Sequence, residues 1–389
     1  MKKELLQGVD NFDFDCLKGK RVALIANHTS VDRTGVSTIE KCLCKGVDVT
    51  AVFSLEHGYF PVAQDMESVG KENRIKNIPV FSLYGEDSSS LSPDPALFQL
   101  FDTVIYDIQD IGSRYYTYLA SLAMFMEKLN ENPRELIIFD RINPIGGKVE
   151  GSLLDDSKYK SFVGYFPLFH RHGLTSAEAG LYFYKLKGYT FPIQVSKVKG
   201  WYRDSFFDEY DYPWIPTSPN MPSIDTAVIY SGACLLEGTE LSEGRGTTFP
   251  FHVAGAPEID PFKLKEELDS LEIPGLVFTP LEFRPMFQKH SMKRCGGVYF
   301  SIINRKTVQP LRSFIRIIQI FRGILGEEGF LRVKPYEFIK NIPAIDLLLG
   351  DKVLVGQFRN FARFNEIDDY LSDCESKAEE YFRPYHLYR

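Results

Sequence analysis

Along the first third of the chain, short and nearly continuous apolar runs alternate with amphipathic stretches, and each apolar run ends in polar residues. "RVALIAN" (21–27), "VDVTAVFSLE" (47–56), "IPVFSLYG" (78–85), "DTVIYDIQD" (102–110) and "RELIIFDRINP" (134–144) have the length and β-branched content of strands. "GVSTIEKCLCKG" (35–46) and "YTYLASLAMFMEKLNEN" (116–132) have helical spacing. Strands alternating with helices predict an α/β fold with a mostly parallel, doubly wound sheet. Helices on both faces of such a sheet explain why its strands are apolar throughout.

The middle of the chain is rich in loops. "FHRHGLTSAEAGLYFYKL" (169–186) opens a helix, with Thr175 as N-cap and Glu178 at the capping-box position. "WIPTSPNMPS" (214–223) carries three prolines, and "GTELSEGRGTTFPF" (238–251) three glycines, so both read as loops. From about Pro257 the pattern changes. "DPFKLKEELDSL" is a helix, "CGGVYFSIIN" a strand and "LRSFIRIIQIFRGIL" a long helix, and "IDLLLG" and "DKVLVGQF" are short elements. The expected organisation is an α/β domain over 1–255, its sheet filling that stretch, and a smaller α+β domain over 256–389.

The strand ends hold the candidate chemistry. Asn27, His28 and Thr29 follow the first run, Glu56 and His57 the second, Asp107, Gln109 and Asp110 the fourth, and Asp140, Arg141 and Asn143 the fifth. Open α/β sheets bind ligands outside the carboxyl ends of their strands, so these residues are expected to converge on one cleft roofed by the 214–223 and 238–251 loops. Glu56, beside His57 and Gly58, suits a general acid or base; the alternative is a carboxylate paired with an arginine. Arg114, just after Asp107–Asp110, is either a bidentate clamp for a carboxylate or half of an Asp–Arg lock between strand and helix.

Composition narrows the partners. Net charge is −7, against the concentrated Lys and Arg that nucleic-acid binding requires. Six cysteines without C-x-x-C spacing read as reduced thiols. No stretch reaches the roughly 18 apolar residues of a membrane span. The first twenty residues have a two-residue apolar run, too short for a signal peptide, so the chain as it stands is expected in the cytoplasm, or outside it if a signal has been removed. Aromatics reach 14%, with 31 Phe and 21 Tyr, which thicken a core or line a sugar cleft. His57, His170 and His172 with Asp107 or Asp110 would make a 2-His-1-carboxylate metal site, but "HRH" is equally a pair of loop histidines. Neither a G-x-S-x-G elbow nor a G-x-G-x-x-G fingerprint occurs, and the expectation includes no cofactor and no metal.

Six segments together are more specific than any one. "LEHG", "YDIQDIGSRYYTY", "DRINPIGG", "RHGLTSAE", "WIPTSPNMP" and "GTELSEGRGTTFPF" occur in an order that resembles the exo-β-N-acetylmuramidases (glycoside hydrolase family 171), over essentially the whole chain from about Gly8. The resemblance implies a Rossmann-like N-terminal domain, a smaller C-terminal domain and a cleft between them. It also implies release of terminal N-acetylmuramic acid from the non-reducing end of peptidoglycan fragments. Carried onto this sequence, it makes Glu56 the leading catalytic candidate, with the Asp107–Asp110 segment supplying a second carboxylate or orienting the N-acetyl group. The other matching positions are His57, Gln109, Arg114, Tyr118, Asp140, Arg141, Asn143, Arg171, His172, Glu178, Asn220, Glu243 and Arg245. Three places depart from the family pattern: Tyr59-Phe60-Pro61 where an aromatic, Arg and Gly are usual, Ile142 where Pro is usual, and Ala177 where Gly is usual.

That chemistry agrees with the residue types. Glycoside hydrolysis needs a protonated carboxylic acid at the leaving oxygen and a second group to meet the oxocarbenium-like charge. An acid catalyst must keep its proton, and desolvation in an aromatic cleft is the physical route to that. The lactyl carboxylate of muramic acid calls for arginine, so one of Arg114, Arg141, Arg171 and Arg245 is expected to line the pocket with a free guanidinium. Two rival readings remain at this stage: a muropeptide-binding protein without turnover, and a metal-dependent amidase or deacetylase of cell-wall fragments. Retention or inversion turns on carboxyl separation, roughly 5 Å against 6.5–9.5 Å.

Overall fold

The computed structural model describes residues 2–61, 74–85 and 88–389. Its strands are β1 (Arg21–Ala26), β2 (Asp48–Ser54), β3 (Arg74–Ile75), β4 (Ile78–Ser82), β5 (Thr103–Asp107), β6 (Glu135–Phe139), β7 (Glu150–Leu153), β8 (Phe169–Arg171), β9 (Ile193–Ser196), β10 (Val253–Ala256), β11 (Leu276–Phe283) and β12 (Cys295–Ile302). Seven of them form one sheet in the order β3-β4-β2-β1-β5-β6-β9, parallel except for the β3–β4 hairpin. Without β3, this is the 3-2-1-4-5-6 order of a Rossmann-like sheet.

Side-chain alternation sorts the core into two faces. Val22, Leu24 and Ala26 of β1, with Ile105 of β5 and Ile137 and Phe139 of β6, pack on Ile39 and Cys42 of the helix Thr38–Cys44. Ala23 and Ile25, with Val104, Tyr106, Leu136 and Ile138, pack on the opposite side with Leu122, Phe125 and Met126 of the helix Tyr118–Glu131. The capping box expected at Thr175 and Glu178 is present at the start of Ser176–Leu186, and Ser37 with Glu40 forms another, beyond the one expected from sequence.

The parallel sheet ends sooner than the sequence pattern suggests. Its last strand closes at Ser196, and residues 197–252 form loops around the helix Ile224–Ala233, buried at every position but Asp225. That helix packs on Pro310–Leu325 of the C-terminal half, closely enough that a Cβ on Gly232 would lie 2.0 Å from the Pro310 carbonyl oxygen. Its continuous apolar run belongs to a core shared between the two halves of the chain. A separate antiparallel sheet, β10-β12-β11, takes its first strand from Val253–Ala256, across the 255/256 position. No helix among the described residues is long and apolar enough to cross a membrane.

Candidate active site

Ligands of Rossmann-like sheets sit where the strand order reverses, here between β1 and β5. In this chain that crevice is closed by its own side chains. The Ser30 hydroxyl donates to the Asp107 carbonyl, and Thr29 Oγ1 accepts from the Gln109 N–H at 3.2 Å. Thr29 also donates to Asn27 Oδ1 at 2.6 Å.

The open chemistry lies one strand over, beyond β2. Leu55 is fully buried, and the chain then turns sharply, the Gly58 N–H reaching back to the Leu55 carbonyl at 3.0 Å. His57 takes the third position of that turn with φ 71°, a left-handed conformation that costs a non-glycine residue free energy. The turn directs Glu56 into a pocket with about 410 Å³ of empty space. Glu56 is 5% exposed. The Thr117 hydroxyl donates to its Oε2 at 2.5 Å, and Oε1 has no hydrogen-bond partner among the described residues.

Both halves of the chain build the walls. Ser218, Asn220 and Met221 enter from the 214–223 loop, and Arg245 and Phe251 from the 238–251 loop. Tyr116 donates to Thr217 Oγ1 at 2.6 Å and Tyr118 to the Thr217 carbonyl at 2.8 Å, and these two bonds pin the first of those loops. His28 Nε2 fixes the same loop at the Pro216 carbonyl, 2.6 Å away. Tyr230 and Tyr336 close the far side, both buried, with burial holding their hydroxyls protonated well above the usual tyrosine range. Eleven non-glycine residues among those described have positive φ, and three of them, His57, Phe251 (62°) and Glu337 (45°), line this pocket. Backbone strain concentrated in one pocket marks a site where the fold holds side chains against their preference. A larger, open hollow of about 1570 Å³ lies along β4. Asp94 and Lys128 are its only charged lining residues among those described, so it lacks a buried acid.

Of the sixteen residues singled out from sequence, Glu56, His57, Asn220 and Arg245 line the pocket. Glu243 lies just behind it, ion-paired to Arg245 at 3.3 Å and Lys289 at 2.9 Å. Burial works to raise its carboxyl, but those two cations outweigh it and hold the group below the ordinary range. The other eleven build the scaffold. Asp107, fully buried, is locked by Arg141 Nε at 2.6 Å and by the Thr38 hydroxyl. Asp110 accepts from the Gly112 N–H at 2.6 Å and lies 3.3 Å from His172 Nε2. Gln109 donates to the Asp110 and Ile142 carbonyls, and Asn143 to the Leu174 carbonyl. Asp140 accepts from Thr175, Ala177 and Tyr388, while Glu178 caps its helix and takes Arg203 and the Leu387 N–H. Tyr118 holds Thr217, and the buried guanidiniums of Arg114 and Arg171 donate to the Leu348 and Ile145 carbonyls.

Two expectations meet a different arrangement in this structure. The Asp107–Asp110 segment opens on the same sheet edge as Glu56, but neither of its carboxylates lines the Glu56 pocket, and Asp110 Oδ1 and Gln109 Oε1 are buried without a hydrogen bond. Arg245 is the only one of the four arginines to line the pocket, and its guanidinium is paired with Glu237 and Glu243. The histidines do not gather round a metal: His170 bonds the Leu349 carbonyl and the Ser152 N–H, His172 faces Asp110, and only His57 reaches the pocket. No group of three or more metal-ligating side chains is arranged to hold an ion among the described residues.

Sequence reasoning missed Thr117, Tyr230, Tyr336, Glu237 and Glu337. One signal for Glu237 was present. "LLEG" at 235–238, like "SLEHG" at 54–58, ends an apolar run in Glu close to a glycine.

A buried acid with one open oxygen, strained loops and aromatic walls thus meet in one pocket set on a Rossmann-like sheet. Comparison with known proteins then names the family. Residues 22–225 match the family described as exo-beta-N-acetylmuramidase NamZ, N-terminal, and residues 228–388 its C-terminal counterpart. The chain belongs to this family. It is 37% identical over 316 residues to the peptidoglycan beta-N-acetylmuramidase NamZ of Bacillus subtilis (strain 168), covering 80% of this chain and 75% of that one. Crystal structures of two DUF1343 family proteins from Bacteroides fragilis NCTC 9343 share the fold. One is 29% identical with a TM-score of 0.86 and full coverage of both chains; the other is 27% identical with a TM-score of 0.78 and 99% coverage of both.

Proposed function

We propose that this chain is a glycoside hydrolase that releases terminal N-acetylmuramic acid from the non-reducing end of peptidoglycan fragments, with Glu56 as its general acid. Family membership supplies the substrate class. The observation that carries the assignment to Glu56 is its carboxyl: buried, anchored through Oε2 by Thr117, and open to the pocket through Oε1. A carboxylic acid placed this way can hand its proton to a glycosidic oxygen without losing its orientation. Tyr116, Tyr230, Phe251 and Tyr336 offer aromatic surface to the faces of a pyranose ring, and Asn220 offers an amide to its acetamido group. Arg245 is the one arginine lining the pocket among the described residues, and its pairing with Glu237 and Glu243 makes it a positioning group as much as a partner for the lactyl carboxylate.

The test is turnover of a disaccharide with N-acetylmuramic acid at its non-reducing end. Free N-acetylmuramic acid should accumulate, and the same disaccharide capped by N-acetylglucosamine should stay intact. Cleavage of the second and not the first would overturn the reading.

A further inference from the structure

Neither Asp107 nor Asp110 lines the pocket that holds Glu56, whereas Glu237 and Glu337 do. Resting on the glycosidase reading above, we propose that Glu237 is the second catalytic carboxylate, the group that meets the positive charge developing at the anomeric carbon.

Three observations carry this. Glu237 is 3% exposed, and each of its oxygens accepts a hydrogen bond: Oε1 from Arg245 Nη2 at 2.6 Å and Oε2 from the Tyr336 hydroxyl at 2.6 Å. Donors on both oxygens hold a carboxylate in one orientation and match its negative charge. Second, the donors are themselves anchored, Arg245 lying between Glu237 and Glu243, and Glu243 bonding Lys289 at 2.9 Å. Third, the backbone is wedged in place. Glu237 sits in the 3₁₀ turn Cys234–Gly238 behind fully buried Leu235 and Leu236, and a Cβ on Gly238 would meet Ile345 Cα at 2.8 Å. Glu56 and Glu237 thus have complementary surroundings. One has an oxygen without a bond and a lone hydroxyl donor; the other has a guanidinium and a phenol.

Glu237 also lines an adjoining polar hollow with Lys289, His290 and Lys334, so it stands between the buried pocket and an open approach. In the reaction, Glu56 gives its proton to the leaving oxygen, and the electron pair of the C1–O bond departs with that oxygen. Glu237 faces the resulting cationic C1. A water oxygen then bonds to C1, and its released proton goes to one of the two carboxylates, restoring the pair to its starting charge.

The experiment compares Glu237→Gln, Glu237→Ala, Tyr336→Phe and Glu337→Gln on the natural disaccharide and on an aryl β-N-acetylmuraminide, with and without sodium azide. Glu237→Gln should lose about 10³-fold in kcat on both substrates, because an acidic leaving group does not replace the missing negative charge. Azide should restore turnover of Glu237→Ala on the aryl glycoside and leave an N-acetylmuramyl azide product, an outcome that a merely structural role for Glu237 does not produce. Tyr336→Phe removes a donor to the charged form, so the acidic limb of its kcat/KM profile should move to higher pH with KM little changed. The proposal is overturned if Glu237→Gln turns over within tenfold of the parent enzyme. It is equally overturned if azide fails to rescue Glu237→Ala while Glu337→Gln shows the large loss, which assigns the role to Glu337. A parent enzyme that cleaves no muramic-acid glycoside refutes the functional reading itself, a different result from either of these.

Discussion

The carboxyl end of β2 and the carboxyl ends of β5 and β6 carry the same kind of sequence and finish in opposite states. Each is an apolar strand followed by an acid and further polar groups. After β5 and β6 the acids are held by partners inside the fold: Asp107 by Arg141 and Thr38, Asp140 by Thr175, Ala177 and Tyr388, and Asp110 through Oδ2 by the Gly112 N–H, its buried Oδ1 taking no bond. After β2, Glu56 keeps one oxygen unbonded behind a backbone turned to positive φ at His57. The first arrangement spends its polarity on holding loops together. The second leaves polarity unspent at the cost of strain, which is how a fold keeps a group available for a substrate. A polar strand end thus reports that something must be satisfied there, and whether the side chain lines a pocket tells scaffold from candidate site.

Substitutions at the two ends should separate on that basis. Glu56→Gln keeps the shape and the Thr117 bond but delivers no proton, so turnover of the natural disaccharide should fall by about 10²–10⁴-fold with the melting temperature nearly unchanged. The loss should shrink on aryl glycosides whose leaving group is already acidic. Near-normal turnover of this variant on the disaccharide would erase the contrast. Asp107→Asn should show the reverse profile. It strands the Arg141 guanidinium, 2% exposed, without its carboxylate, and should cost about 3–5 kcal/mol in denaturant unfolding while the folded fraction keeps its kcat. A large kcat defect in correctly folded Asp107→Asn would move the catalytic boundary back to β5.

The scaffold end should also be visible in the pH dependence of stability. Burial, reinforced by the neighbouring Glu178 charge, raises Asp140 to about 7 against the bonds from Tyr388, Ala177 and Thr175. Burial and Glu375 raise Glu150 to about 7 as well. Groups raised in the folded state bind protons more tightly there than in the unfolded chain. Their contribution is complete below about pH 4 and is lost as pH rises through about 7. Melting temperature should therefore decline between pH 5 and 8 by a few degrees, and Asp140→Asn should flatten part of that decline. An unchanged slope in Asp140→Asn would place the titration elsewhere. The smallest effect is expected at the chain's end. Tyr388→Phe removes a 2.5 Å bond to Asp140 and should cost about 1 kcal/mol, measured by urea unfolding, with no change in kcat on the disaccharide.

β1, β2, β4, β5 and β6 and the helices Thr38–Cys44, Tyr118–Glu131 and Ser176–Leu186 were legible because side-chain alternation and capping chemistry are local, whereas the short strands β3, β7, β8 and β9 carry too few residues to show a period. Glu56 was legible for the same reason, since a strand end beside glycine is a local signature. The helix Ile224–Ala233 was not, because its apolar run has no polar face from which a period could be read. Its burial comes from the C-terminal helix Pro310–Leu325, many residues away.

By itself, the sequence determined the parallel α/β architecture, the family, and the set of polar residues gathered near one edge of the sheet. Which of those residues line the Glu56 pocket was settled by the tertiary structure alone. Asp107 and Glu56 are indistinguishable as strand-end acids, and the difference between them lies in partners far along the chain: Arg141 and Thr38 for one, Thr117 alone for the other. Likewise, Glu237 acquires its place through Arg245 and through Tyr336, 99 residues downstream. A hydrogen-bond partner is a fact about positions in space, and the alternation that builds strands and helices carries no record of it.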